Sequence, residues 1–265
     1  MNYILYFSRH MNLTRKPRTK KMPNTECLIN PSRFKGEPEI NGPVLFLINP
    51  GEARPAMIRL DKEGAKRHFL FNSELRQVAA PPGGKELLVC GPAVGAPMAV
   101  MTMEKLISLG ATQFIIFGWC GSLTPGIGIG QAVVPTWALS EEGTSAHYPV
   151  KGRPESSVDL RQKATSLLED QDLTCQQGPI WTTDAPFRET REKVQNYGKQ
   201  GILAVDMEYA ALCTLAAFRQ VEMAACMLVS DELWQPDWRP GFTNRDFKTK
   251  SRQLVDALLK ETPLW

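Results

Sequence analysis

Val205-Asp206-Met207-Glu208, followed some twenty residues later by the apolar run Met223 to Val229 and then Ser230-Asp231, is the stretch from which the architecture can be read. Between the two, Met207, Ala210, Ala211, Leu215 and Phe218 recur at helical spacing, which predicts a helix from Asp206 to Gln220 with Glu208 in its first turn. A carboxylate there faces the positive end of the helix. The run Met223 to Val229 is short and rich in Val, Met and Ala, so it is expected to be a buried strand with Ser230 and Asp231 at its carboxyl end. In open α/β sheets that edge is where ligands bind. Taken singly, Asp206 reads as a helix cap, Glu208 as a surface acid complementing the helix dipole, and Asp231 as a loop cap. Taken together they are a helix-start acid and a strand-end acid, and a helix that packs back on its sheet brings both to one crevice.

Upstream, an apolar strand followed by a glycine turn occurs three times. Val44 to Ile48 leads to Pro50-Gly51-Glu52-Ala53-Arg54, Leu87 to Cys90 to Gly91-Pro92-Ala93-Val94-Gly95, and Phe114 to Phe117 to Gly118-Trp119-Cys120-Gly121. Pro97 to Leu109, with proline at its start and Gly110 at its stop, is a predicted helix joining the second and third strands as a parallel crossover. Gly91 and Gly95 are spaced GxxxG, which matches neither the GxGxxG of a dinucleotide fold nor a P-loop. Dehydrogenase and ATPase chemistry are therefore not indicated; the glycines instead let backbone N–H groups approach an anion or a sugar. Arg245 to Lys260 closes the chain as a helix with Phe247, Leu254, Leu258 and Leu259 on its apolar side.

At 265 residues and 43% hydrophobic content the chain can bury a full core, and one large α/β domain over residues 43–265 fits better than two small ones. Residues 1–42 are expected to be a flexible basic extension, carrying the run Arg15-Lys16-Pro17-Arg18-Thr19-Lys20-Lys21. That run contributes much of the net charge of +3, so the body gives no case for nucleic acid. Tyr3 to Phe7 is too short for a secretory core or a membrane span, and the expectation is a cytoplasmic protein with no membrane partner. The 6 cysteines stand singly, with no zinc spacing or disulfide framework, and read as buried thiols in a reducing compartment.

The segments Gly91 to Pro97, Phe117 to Leu123, Glu142-Gly143-Thr144-Ser145-Ala146-His147-Tyr148, Thr182-Thr183-Asp184-Ala185-Pro186-Phe187, Val205 to Glu208 and Ser230-Asp231 occur in the order found in the nucleoside phosphorylase family, which this chain resembles from about Pro43 to Leu259. The resemblance implies a three-layer α/β/α sandwich around a mixed, partly barrel-like sheet, a homo-oligomer of two to six subunits, and cleavage of a ribosyl N-glycosidic bond with no metal or redox cofactor. By the same resemblance Asp231 matches the general acid for the leaving base, beside Ser230, while Glu208 and Met207 match the residues that hold the sugar. Phe187 matches an aromatic near the base, and His147 and Tyr148 match residues that close over the sugar, often from a neighbouring subunit. Gly95, Gly118 and Trp119 fall at positions lining the site. Uridine phosphorylases carry a Gln-x-Arg pair just after the aromatic, and Phe187-Arg188-Glu189-Thr190-Arg191 lacks that glutamine, so a purine nucleoside is the expected substrate.

The nucleophile is open on this reading. Family phosphorylases hold phosphate with an arginine and a Ser or Thr at the positions of Ile116 and Trp119, which leaves Gly51 and Arg54 as the candidates to bind inorganic phosphate as co-substrate. Phosphorolysis is the family reaction; hydrolysis with Glu52 as the base for water, and nucleoside binding without turnover, are the alternatives.

Overall fold

The computed structural model describes residues 27–70, 73–80 and 85–265; the basic run at residues 15–21 lies outside them. Strand β1 (Pro43–Leu47) is apolar throughout and buried on both faces, as the central strand of a helix-covered sheet has to be. It is followed by α1 (Pro50–Lys62), β2 (Lys66–Leu70), β3 (Ser73–Val78), β4 (Leu87–Gly91), α2 (Ala96–Leu109) and β5 (Gln113–Ser122). The second half runs β6 (Ala132–Glu141), α3 (Val158–Asp170), β7 (Cys175–Thr183), α4 (Arg191–Lys199), β8 (Ala204–Asp206), α5 (Tyr209–Arg219), β9 (Glu222–Glu232), β10 (Arg239–Pro240) and α6 (Arg245–Glu261).

The strands form one mixed sheet in the order β10-β9-β6-β7-β8-β5-β1-β4-β3-β2, and an additional pairing of β9 with β5 closes β9-β6-β7-β8-β5 into a ring. The expected sandwich with a barrel-like sheet is therefore present. Helices α2 and α5 cover one face through Met103, Leu106, Leu212 and Leu215. Helices α1, α3 and α6 cover the other through Leu60, Leu168, Phe247 and Leu258. The apolar side foreseen for the last helix, Phe247, Leu254, Leu258 and Leu259, is buried in that second layer. Packing reaches upstream of Pro43: Ile40 is fully buried with its N–H donating to the carbonyl of Leu109 at 3.0 Å, and Lys105 pairs with Glu37 at 2.5 Å.

Three local expectations are corrected. Pro50 to Arg54 is not a glycine turn but the first turn of α1, with Pro50 at a position where its missing N–H costs nothing. Gly118 to Gly121 is likewise not a turn; β5 continues through it to Ser122, and the glycines admit neighbours, since a Cβ at Gly118 would lie 3.2 Å from Met227 and one at Gly121 only 2.3 Å from Leu233. The helix predicted from Asp206 begins at Tyr209, because Asp206 is still paired as the last residue of β8. The thiols of Cys90, Cys120, Cys213 and Cys226 are buried as expected, whereas Cys27 is exposed and Cys175 only partly covered. Among the described residues no helix is long and apolar enough to cross a membrane.

Phe247 joins α6 to the sheet, 1% exposed and edge-on to Trp119 at 5.2 Å. Phe247→Ala is expected to destabilise the fold by about 3–5 kcal/mol through the cavity it leaves, read as a lowered denaturation midpoint with an unchanged denaturant slope.

Candidate functional site

The site lies where β5, β8 and β9 end, and a register shift there aims the principal acid. Along β5 and β9 the parallel pairing runs Gln113 with Glu222 up to Cys120 with Val229, then resumes as Gly121 with Asp231, so that Ser230 is an extra residue. Such a bulge re-aims the side chain that follows it. Asp231 is thereby turned over Gly121, where an added Cβ would come within 3.0 Å of its carboxylate. The Ser230 hydroxyl lies 2.6 Å from Asp231 Oδ1, and the Trp238 indole N–H donates to Oδ2 at 2.8 Å.

The second acid is placed by two helix starts. Asp206, at the end of β8, accepts from the backbone N–H groups of Glu208 at 3.1 Å and Tyr209 at 2.6 Å, and so caps α5 from outside. Its other oxygen accepts the Thr182 hydroxyl at 2.5 Å, and that hydroxyl oxygen in turn accepts the N–H of Ala210 at 3.0 Å. Glu208, thus fixed, reaches α2 and accepts the N–H of Gly95 at 2.5 Å. Gly95 holds φ of +91°, a conformation that L side chains rarely adopt, and has open space beside it.

Burial is the leading cause of the raised pKa values here. It lifts the Asp206 carboxyl and, reinforced by the Asp206 charge, the Glu208 carboxyl, while the backbone donors to each work the other way. Cys120, buried on β5, has its thiol pushed up by burial and then by the charges of both Asp206 and Asp231, which places the two acids on either side of one strand end. Glu189, in the loop after β7, is pushed up to about 7 by burial and the charge of Asp231.

Because β8 and β9 both pair with Gly121 of β5, Asp231, Ser230 and, through the turn after β8, Glu208 with its Gly95 bond stand at one edge of the sheet, with Met207 half-buried beside Glu208. Phe187 stands fully exposed on the loop that also carries Glu189. Gly118 faces inward, packed against Met227 and Ile48, and lines nothing. Tyr148 sits edge-on to Phe218 at 5.3 Å, with Glu104 and Arg219 as its charged neighbours, so its own chain holds it on α5 away from the crevice. His147 is exposed in the turn held by Glu142, which accepts the N–H groups of Thr144 and Ser145. Glu142, Asp184 and Thr182 escaped the sequence reading as site-forming residues. Thr182 and Asp184 belong to the motif ending in Phe187, and that proximity was the available signal.

Trp119, on β5, packs against the layer of α1, α3 and α6 and stacks on Phe242 at 6.5 Å; Gly51 is exposed, and a Cβ added there would stand 4.0 Å from the indole. Glu52 lies next to it, accepting the Ser251 hydroxyl at 2.8 Å, its carboxyl raised by burial; the Trp119 N–H is beside Glu52 but outside hydrogen-bonding geometry. Ile116 is buried in the core, and Arg54 is exposed.

Residues 54–260 match the model of the phosphorylase superfamily. The chain is 29% identical over 192 residues to a guanosine phosphorylase of Halorubrum lacusprofundi, covering 72% of this chain and 80% of the relative. It is 28% identical over 179 residues to a DeoD-type purine nucleoside phosphorylase of Bacillus thuringiensis, covering 66% and 75% respectively. Among solved structures it resembles a purine nucleoside phosphorylase from Toxoplasma gondii in complex with immucillin-H, with a TM-score of 0.74 at 19% identity over 92% of this chain and 98% of that one. It also resembles a uridine phosphorylase from Vibrio fischeri, with a TM-score of 0.72 at 21% identity over 86% and 94%.

The Thr182 hydroxyl serves two buried partners at once. Thr182→Val is therefore expected to destabilise the protein by about 2–4 kcal/mol, and Thr182→Ser to recover most of the loss, in urea unfolding followed by circular dichroism.

Proposed function

This chain belongs to the phosphorylase superfamily, and we propose that it cleaves the N-glycosidic bond of a purine ribonucleoside, with inorganic phosphate as acceptor and free base and ribose 1-phosphate as products. The observation that carries the reading is the bulge at Ser230, which turns Asp231 over Gly121 into the crevice that Glu208 enters from α5. A glycosidic bond breaks through a cationic, oxocarbenium-like sugar, so the base leaves readily only if it takes a proton, and the sugar has to be held for attack. Asp231 supplies the proton. Glu208 binds the ribose hydroxyls through its carboxyl oxygens. Met207 packs on the sugar, and Phe187, free of other packing, offers its face to the base. Purine is supported by the names of the two curated relatives and by Glu189 standing where the expected uracil-reading glutamine is missing. Gly51 and Arg54 are the groups available to phosphate. No metal or redox cofactor takes part in this scheme, and a cytoplasmic homo-oligomer belongs to the same proposal.

One observation favours a second reading, hydrolysis. The Trp119 indole lies beside the Glu52 carboxyl and stacks on Phe242, which sets an apolar ring and an acid next to the start of α1. Water needs no cage, and Glu52, made more basic by burial, could take its proton.

Base release from inosine, adenosine and uridine, with and without phosphate and with both sugar products assayed, separates these readings. Phosphate-dependent ribose 1-phosphate from a purine nucleoside is the expected outcome. Free ribose at an unchanged rate without phosphate replaces phosphorolysis with hydrolysis, and no turnover of any nucleoside overturns both. Asp231→Asn is expected to lower kcat on inosine by about 10²–10⁴-fold, the usual worth of a general acid.

A further inference from the structure

The Trp238 indole N–H donates to Asp231 Oδ2 at 2.8 Å, while the Ser230 hydroxyl takes Oδ1 at 2.6 Å. The indole is 60% exposed, so a ring at the surface, and not a core side chain, holds the carboxylate. An indole is a six-membered ring fused to a five-membered one that carries a single N–H donor. A purine base has the same outline. Once the glycosidic bond has broken and Asp231 has given its proton to N7, the free base carries an N–H on its five-membered ring and the carboxylate accepts it. The contact between Trp238 and Asp231 therefore has the chemistry of the contact between a departing purine and Asp231.

Trp238 is carried by a hairpin with a fixed stem and a lightly held tip. At the stem, Leu233 N–H donates to the Ser122 carbonyl at 2.9 Å and Gly241 N–H to that of Ser230 at 2.7 Å. Strand β10 pairs with β9 only as Arg239 with Glu232 and Pro240 with Asp231, and proline has no N–H to give. At the tip, residues 234–238 form neither helix nor strand. The carbonyls of Gln235 and Pro236 accept the Arg191 guanidinium, and the Gln235 amide donates to Glu232 at 3.1 Å. The indole itself meets Phe242 at 6.1 Å, tilted by 39° and not stacked. Its bond to Asp231 is thus the main directional contact that sets the ring in place.

We propose that Trp238 is an internal stand-in for the leaving base: its indole occupies the carboxylate oxygen that a purine needs, and the base displaces it. The inference rests on the glycosidic-cleavage reading above, which gives Asp231 its role. The hairpin tip is then a gate. A purine that carries N7–H replaces one N–H donor on Oδ2 with another, and the indole returning to Asp231 helps the product base out. The closed form binds no base, so its population weakens the apparent affinity for the base in proportion.

The test uses Trp238→Phe, which keeps an aromatic ring against Phe242 and removes the N–H, and hypoxanthine as the probe in isothermal titration calorimetry. Release of the gate is expected to tighten hypoxanthine binding by about tenfold relative to wild type. The same titration of wild-type protein is expected to shift its tryptophan emission as the indole leaves its carboxylate partner, and the variant to lose that component. Weaker binding by the variant, which would make Trp238 a wall of the base site, overturns the stand-in, as does equal binding or an emission shift of equal size in both proteins. Those outcomes leave glycosidic cleavage, read from inosine turnover, standing. Hypoxanthine that binds neither protein also overturns the stand-in, and where wild type cleaves no nucleoside as well, the functional reading falls with it.

Discussion

The parallel pairing of β5 with β9 is the constraint on which the rest of the molecule depends. It closes five strands of the sheet into a ring, and it also holds the two longest apolar strands side by side between helical layers on both faces. Strands so enclosed have no solvated face, which is why they read as continuous apolar runs. Close approach sets their small residues: Gly118 yields to Met227, and Gly121 to Leu233 and the Asp231 carboxylate. The one irregularity, the extra Ser230, falls where the pairing meets the crevice. Had the register continued unbroken, Ser230 would have taken the place opposite Gly121 that Asp231 now holds. Regular pairing builds the scaffold, and its single lapse builds the site.

A second constraint is the desolvation of acids. Asp206, Glu208 and Glu142 are each nearly fully buried, and an isolated carboxylate in such surroundings would cost several kcal/mol or more. Backbone donors offset much of that. Asp206 has two amides and a hydroxyl, Glu208 the Gly95 amide, and Glu142 the amides of its own turn. Those amides belong to helix or turn starts, where N–H groups lack partners within the helix. The acids therefore complete the local structure, Asp206 and Glu208 with raised proton affinities, and the same bonds that stabilise them fix their positions.

The sequence made most legible whatever has a period or a breaker. Met223 to Val229, Val44 to Ile48, Gly110 as a helix stop and the apolar side of α6 all stand as read, because burial of regular elements leaves a regular trace. Strand β6 left no such trace: Pro135 interrupts it, and its register to β7 shifts between Pro135 and Ala138. Strand β2, Lys66–Leu70, is polar and mostly exposed at the sheet edge. Glycines were read as turns at residues 118 and 121 since sequence alone does not separate a turn from a close approach. Within the site, Glu208 and Asp231 were legible through their elements, whereas the bond from Trp238 to Asp231 comes from a loop whose position is set by tertiary contacts such as Arg191 to Pro236.

The crevice has two chemically unequal ends, and the inequality follows from which elements supply them. At the end of β9, Asp231 is held by the Ser230 hydroxyl and the Trp238 indole. At the end of β1, α1 presents Glu52 in its first turn, where the helix dipole would favour an incoming anion. Glu52 is itself that anion when ionised. With Ser251 bonded to Glu52, the acid of the helix start is already partly satisfied from within the chain. A second negative charge entering there meets a carboxylate in a partly desolvated corner, where repulsion is weakly screened. Burial raises the Glu52 pKa and so eases its neutralisation, which makes proton uptake at Glu52 the natural accompaniment of anion entry. The same set of strands thus carries two acids held in different ways, Asp231 by loop donors at one strand end and Glu52 by Ser251 of the last helix at another.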